Sequence, residues 1–219
     1  FIGLTCIVNP ALLREKDFVV KLTPSPKKVM VIGGGLAGME AAMVLAEQGH
    51  NVALYEKSDR LGGQWNIVAQ QPGKEDFVSV SQRLIQGLSK ARVKVTLNKE
   101  VSRDFVEKEK PDAVVVATGA VPLKLPVPGI DNKNVVQAND VFTKKAQVGQ
   151  RIVIVGGRAQ AMEIASMLAE QGKKVCLVTK NALGEDGAPM EERLYRALRN
   201  RLVAQGIAIF PHSPLYEIR

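Results

Sequence analysis

Sliding the sequence against itself by 123 positions aligns Val29–Lys57 with Ile152–Lys180 and leaves 13 of 29 positions identical. An internal copy of that length restricts the chain to two units of one architecture. Each copy opens on a continuous apolar run, "KVMVI" and then "RIVIV", of the kind that suits a strand buried on both faces of a parallel sheet. A glycine-containing turn follows, then an Ala/Leu/Met-rich stretch with apolar positions at helical spacing that closes on Gly49 or Gly172. The runs "NVALYE" and "KVCLVT" supply the next strands. This order is the β-turn-α-β opening of a doubly wound sheet. The expected fold is therefore α/β: two Rossmann-like doubly wound parallel-sheet units, the second inserted in the first and both truncated.

Between the copies the sequence predicts a helix over about Lys74–Lys90, a strand at "VKVTL", a short helical turn near Phe105 and the strand "DAVVVATG". The segment "AVPLKLPVPGIDNKN" carries three prolines and suits an extended crossover better than a helix. After the second copy, "APMEERLYRALRNRLVAQG" reads as a helix with Pro189 near its start, followed by the strand "IAIFP". These patterns divide the chain into a linker over 1–26, a first dinucleotide-binding unit over 27–122, a crossover over 123–149 and an incomplete second unit over 150–219. Completing the second unit and returning a strand to the first would take roughly another hundred residues.

Composition removes several classes. With 46% hydrophobic and 24% charged residues the chain is ordinarily globular and is expected to be folded and soluble. Its net charge of +8 is split evenly, +4 on each side of residue 110, and no Lys/Arg tract interleaves with aromatics, so no nucleic-acid groove is expected. Stretches such as "AVVVATGAVPL" are too short and glycine-rich to span a bilayer. The start "FIGLTCIVNPALL" lacks a basic leader and a cleavage site, which gives a cytoplasmic address by default. Cys6 and Cys176 form no C-x-x-C pair, which argues against a disulfide framework or a dithiol redox centre.

In the first turn Gly33, Gly35 and Gly38 fit G-x-G-x-x-G, and Glu56 ends the second strand 18 residues beyond the third glycine. Gly33 permits the tight bend, Gly35 leaves the backbone bare for a pyrophosphate, and Gly38 allows helix and strand to pack closely. The helix N-terminus offers unpaired N–H groups and partial positive charge to phosphates. Glu56 can accept hydrogen bonds from an adenosine ribose.

These residues carry a resemblance to the flavoprotein pyridine-nucleotide oxidoreductases, whose FAD unit is interrupted by an inserted NAD(P) unit. The resemblance implies that Ala37 and Lys57 flank the cofactor beside Gly38 and Glu56, and that Arg60, Gly63 and Gln64 in "EKSDRLGGQW" lie along the flavin's pyrophosphate and ribityl chain. It also implies that Thr118 and Gly119 of "VVATGAVP" run close to FAD and that Val101 offers backbone hydrogen bonds to adenine. Trp65 reads equally as a packed aromatic at a domain seam or as a cofactor contact. The segment "LTCIVNPALLRE" further resembles the C-x-V-N-P link of the 2,4-dienoyl-CoA reductase and trimethylamine dehydrogenase family, related to Old Yellow Enzyme. There the matching cysteine is the last 4Fe-4S ligand, so Cys6 is expected to ligate a cluster only in a full-length parent with an upstream FMN-bearing barrel and the three other cysteines.

In the second turn Gly156 keeps the bend, Arg158 replaces the approach glycine, Ala161 replaces the packing glycine and Thr179 stands where Glu56 does, followed by Lys180. Loss of the acid and gain of cations favour a 2′-phosphate, the NADP preference. Two readings stay open: Arg158 and Lys180 clamp the phosphates of NADPH in a weak site, or Arg158 occupies the site and the unit has lost its dinucleotide, NAD or NADP.

Two functions follow. One is part of an NAD(P)H-dependent flavin/iron-sulfur oxidoreductase that passes hydride from nicotinamide to FAD and on to a barrel flavin reducing an enoyl-type substrate, the isolated piece being inactive. The other is a non-catalytic module that holds ADP or FAD beside a degenerate second site. A stand-alone ferredoxin- or thioredoxin-reductase-like enzyme is a third option, and its thioredoxin-reductase form lacks the required cysteine pair. No residue reads as a general acid, base or nucleophile, and His50 and His212 read as structural.

Overall fold

The computed structural model of the chain describes residues 6–185 and 190–219. Pro189, and Leu4 and Thr5 of the amino-terminal segment, lie outside them. The chain divides into two compact units at Val121 and Pro122, with residues 70–72 grouped with the second.

In the first unit β1 (Lys28–Ile32) leads through α1 (Leu36–Glu47) to β2 (Asn51–Tyr55). A short α2 (Trp65–Val68) and a 3-10 turn over Glu75–Phe77 precede α3 (Val78–Lys90), β3 (Lys94–Thr96), α4 (Arg103–Glu109) and β4 (Ala113–Val116). The four strands form one parallel sheet in the order β3-β2-β1-β4. Alternation along each strand sends Val29, Val31, Val52 and Leu54 to one face, where they meet Met39, Ala42 and Met43 of α1 and Leu84 and Leu88 of α3. Each of these large side chains contributes roughly 1.5–3 kcal/mol by leaving water. Tyr55 points to the other face and packs edge-to-face on Phe105 of α4, ring centres 5.2 Å apart. Central strand β1 thus reads as a nearly unbroken apolar run because neighbours cover both its edges and both its faces.

In the second unit α5 (Ala138–Phe142) precedes β5 (Arg151–Val155), α6 (Ala159–Glu170), β6 (Lys174–Val178), α7 (Glu192–Ala204) and β7 (Ala208–Phe210). The strands pair in parallel as β5-β6-β7. Met162, Ala165, Leu177, Leu198, Leu202 and Ile207 form the core beneath α6 and α7. The first sheet sets β4 against the outer side of β1; among the described residues no strand does so for β5. Val153 of β5 and Phe210 of β7 are 64% and 50% exposed.

The α5 turn lies within the crossover expected over 123–149, where the sequence predicts no helix. It is a single turn whose Phe142 is buried, so packing rather than propensity makes it. Helix α7 starts at Glu192, whose preceding residue Glu191 caps it by accepting a hydrogen bond from the Leu194 amide at 2.8 Å.

Candidate functional site

The glycine turn of the first unit sits between β1 and α1. Gly33 has φ +109°, a region an L side chain rarely adopts, and a Cβ there would drive into the Ala117 carbonyl beyond β4. A Cβ on Gly38 would collide with the Gly33 carbonyl, so the first turn of α1 lies directly on the bend. Gly35 differs from both: its backbone is extended (φ −73°, ψ −179°) and a Cβ would meet no atom within 4 Å. Its lack of a side chain therefore keeps space clear over the helix N-terminus.

That N-terminus is bare. Gly35 is the N-cap residue of α1, no side chain accepts from the first turn, and no acidic residue lies in it. Ser102 and Glu191 do cap α4 and α7. The first-turn N–H groups of α1 and the positive end of its dipole thus face the cleared space, an anion-binding arrangement.

Glu56 follows β2 and is 7% exposed. Its Oε2 accepts from the Gly34 amide at 2.6 Å, and its Oε1 accepts from the Ser58 amide at 2.8 Å and from the Ser58 hydroxyl. Burial pushes this carboxyl up, but the Ser58 and Gly34 donors together with the Lys57 charge outweigh it and hold the group below the ordinary carboxylate value. An ionised acid is thereby fixed against the glycine turn.

The segment after Glu56 folds back over the turn. The Gly62 amide donates to the Gly34 carbonyl at 2.8 Å, and a Cβ on Gly63 would lie 3.1 Å from Gly35 Cα. Gln64 donates through Nε2 to the Ala120 carbonyl, tying this segment to the exit of β4 beside Gly119. Ala37, Lys57, Arg60, Gly63, Gln64, Thr118 and Gly119 are exposed, and Val101 is half-buried between β3 and α4. In sequence these residues follow the carboxyl ends of the parallel strands β1, β2, β3 and β4, the end at which a doubly wound sheet binds ligands. Trp65 stacks on Phe77 with ring centres 5.3 Å apart and donates from its indole N–H to the Phe77 carbonyl at 2.7 Å. Ser58 carries no signal in the sequence, because E-x-S has no motif value of its own.

The second turn repeats this backbone. Gly156 donates to the Val178 carbonyl at 2.8 Å as Gly33 does to Tyr55, and Gly184 donates to Gly157 at 2.8 Å as Gly62 does to Gly34. Arg158 is the N-cap of α6 in extended conformation, φ −100° and ψ 178°, so the position asks for no glycine on conformational grounds. Helix α6 likewise has no side-chain cap and no acid in its first turn. Ala161 stands in the place of Gly38, and its Cβ lies 3.4 Å from where a Cβ on Gly156 would be. Thr179 is buried and Lys180 exposed.

Cys6 is half-buried, and backbone hydrogen bonds from Asn9 and Val8 hold its thiol below the usual value. One thiolate does not supply the donor set of a four-iron cluster, and among the described residues no group of three or more His, Cys, Asp or Glu is placed to hold a metal ion. No helix among the described residues is long and apolar enough to cross a membrane. His50 accepts from the Lys27 amide through Nδ1 at 3.1 Å, and His212 takes a left-handed turn conformation beyond β7.

A family model described as pyridine nucleotide-disulphide oxidoreductase matches residues 27–219. The chain is 36% identical over 199 residues to a metal reductase of Desulforamulus reducens, covering 89% of this chain and 30% of the relative. It is 38% identical over 195 residues to a cinnamate reductase of Clostridium sporogenes, covering 87% and 28% respectively. Among solved structures, a 2-naphthoyl-CoA reductase superposes with a TM-score of 0.87 at 30% identity over 98% of this chain and 33% of that one. The resemblance to 2,4-dienoyl-CoA reductase and trimethylamine dehydrogenase read from the sequence holds in these relatives, and the chain spans about a third or less of their length.

Proposed function

The chain belongs to the pyridine nucleotide-disulphide oxidoreductase family, and from that membership we propose that it is the dinucleotide-binding part of an NAD(P)H-dependent flavin oxidoreductase. The observation that carries this reading is the bare α1 N-terminus beside Gly35, set against the ionised Glu56. The first-turn amides of α1 would hold the pyrophosphate of FAD, Glu56 would take an adenosine ribose hydroxyl, and Gly63, Gln64, Thr118 and Gly119 would border the path toward the flavin. The residues present fit such a group: a Cβ on Gly35 would meet no atom within 4 Å, and Ala37, Gly63 and Gln64 are exposed. Bound FAD would supply hydride acceptance, chemistry that no side chain here provides.

The second unit would receive the nicotinamide nucleotide at the α6 N-terminus, with Arg158 beside its pyrophosphate and Lys180 favouring a 2′-phosphate. In a longer parent, electrons would pass from FAD to an upstream iron-sulfur cluster, with Cys6 as one ligand, and to a barrel flavin acting on an enoyl-type compound. A second reading, a module that holds ADP or FAD without turnover, is favoured by Arg158 itself, whose side chain leaves the backbone where Gly35 has none.

The test is anaerobic. The purified chain is loaded with FAD and mixed with NADPH or NADH. Retention of FAD is the expected result, and bleaching of its visible absorbance by NADPH supports the oxidoreductase reading. Retention of FAD without bleaching by either nucleotide supports the module, and failure to retain FAD or ADP at all overturns both.

A further inference from the structure

We propose that Ser58 is a positioning residue of the first nucleotide site, holding one oxygen of the Glu56 carboxylate so that the other faces a ribose hydroxyl. The proposal rests on the reading of the first turn as an adenosine diphosphate cradle. A carboxylate offers about four lone-pair sites. In Glu56 the Ser58 amide and hydroxyl take both sites on Oε1, and the Gly34 amide takes one on Oε2. One acceptor site is left, on the oxygen already aimed at the glycine turn. Ser58 therefore decides which oxygen, and which direction, remains for a ligand.

Two further observations point the same way. Glu56 is nearly buried, and a buried carboxylate keeps its charge only while donors replace the lost water. Ser58 supplies two of the three. The internal copy is a built-in comparison: Thr179 stands in the place of Glu56 and Asn181 in that of Ser58, so the unit that lacks the acid lacks the serine as well. The hydroxyl also lies 3.3 Å from the Arg60 carbonyl, which gives it a purely structural alternative role in the turn. The two roles make different predictions. A serine that merely braces the turn would affect every adenine nucleotide alike, whereas one that orients Glu56 would affect only ligands carrying ribose hydroxyls.

Calorimetric titration of the 219-residue chain with ADP and with 2′,3′-dideoxy-ADP separates them. Ser58→Ala is expected to weaken ADP by about tenfold, the loss of one hydrogen bond to a charged group. The same variant should bind the dideoxy compound as the parent does, and Ser58→Thr should restore ADP binding. Because Ser58 is exposed, the alanine variant should melt within a few degrees of the parent, which checks that it is folded. Equal loss for both nucleotides, or no loss for ADP, overturns the role of Ser58 while leaving the cradle standing. A parent chain that binds neither nucleotide overturns the cradle and this role together.

Discussion

The Gly34 amide donates a 2.6 Å hydrogen bond to Oε2 of Glu56, joining the turn after β1 to the acid after β2. Two features that the sequence separates by 22 positions are thus one unit, and the acid braces the loop it faces. Replacing Glu56 with Gln sets an amide near three donors that need an acceptor. The expected cost at neutral pH is about 1–3 kcal/mol, the penalty of a buried donor left unmatched. Urea denaturation of the two proteins measures it.

The same contact has a pH signature. The folded-state pKa of Glu56 lies below its unfolded value, so its contribution is present in full above the unfolded carboxylate value and is lost as pH falls through the folded one. Glu75 and Glu191 shift in the same direction through their own backbone hydrogen bonds, so acid destabilisation of the parent alone does not isolate Glu56. The difference between the parent and Glu56→Gln does. It should narrow steadily toward acid, and a gap independent of pH would show that the carboxylate charge adds nothing.

Gly35 and Gly38 should separate binding from stability. A Cβ on Gly35 enters open space with an ordinary φ, so Gly35→Ala is expected to leave the melting temperature unchanged or raise it slightly, by about 0.4–1 kcal/mol of stability. ADP affinity should nevertheless fall by about tenfold or more, since the methyl fills the approach to the first-turn amides. Gly38→Ala should do the reverse in kind, costing about 1–3 kcal/mol of folding stability because its Cβ meets the Gly33 carbonyl. A Gly35→Ala protein that binds ADP normally would remove the pyrophosphate from this turn.

The first unit was legible because its signals are redundant. Three glycines, an acid at fixed spacing and continuous apolar strands all specify one turn, and the hydrogen bonds of Gly33, Gly34 and Gly62 realise it. What escaped were features set by contact rather than pattern. Ser58 matters through a carboxylate two residues back, and no periodicity marks it. Helix α5 is one turn held by Phe142, too short to announce itself. Among the described residues β5 pairs with β6 alone, although "RIVIV" reads, like "KVMVI", as a strand buried on both faces. The damaged second turn was legible as damage, but the retention of its backbone path, with Arg158 in an unstrained extended conformation, is a finding of the structure.

That preserved path makes Arg158 and Lys180 separable by experiment. Arg158 sits at the α6 N-terminus, where the helix dipole already favours an anion, and Lys180 lies exposed beyond β6 at the position following the lost acid. If the two cations act on different phosphates, Lys180→Ala should weaken NADPH by about tenfold and leave NADH unchanged, because only the former carries the 2′-phosphate. Arg158→Gly should instead bare the backbone as Gly35 does, improving NADH binding while the preference for NADPH set by Lys180 persists. Equilibrium titration of both nucleotides against the two variants checks this. A fall in NADH affinity on Arg158→Gly would mean that the guanidinium contributes more to the pyrophosphate than the open backbone would. An unchanged NADPH preference in Lys180→Ala would move the selectivity elsewhere in the unit.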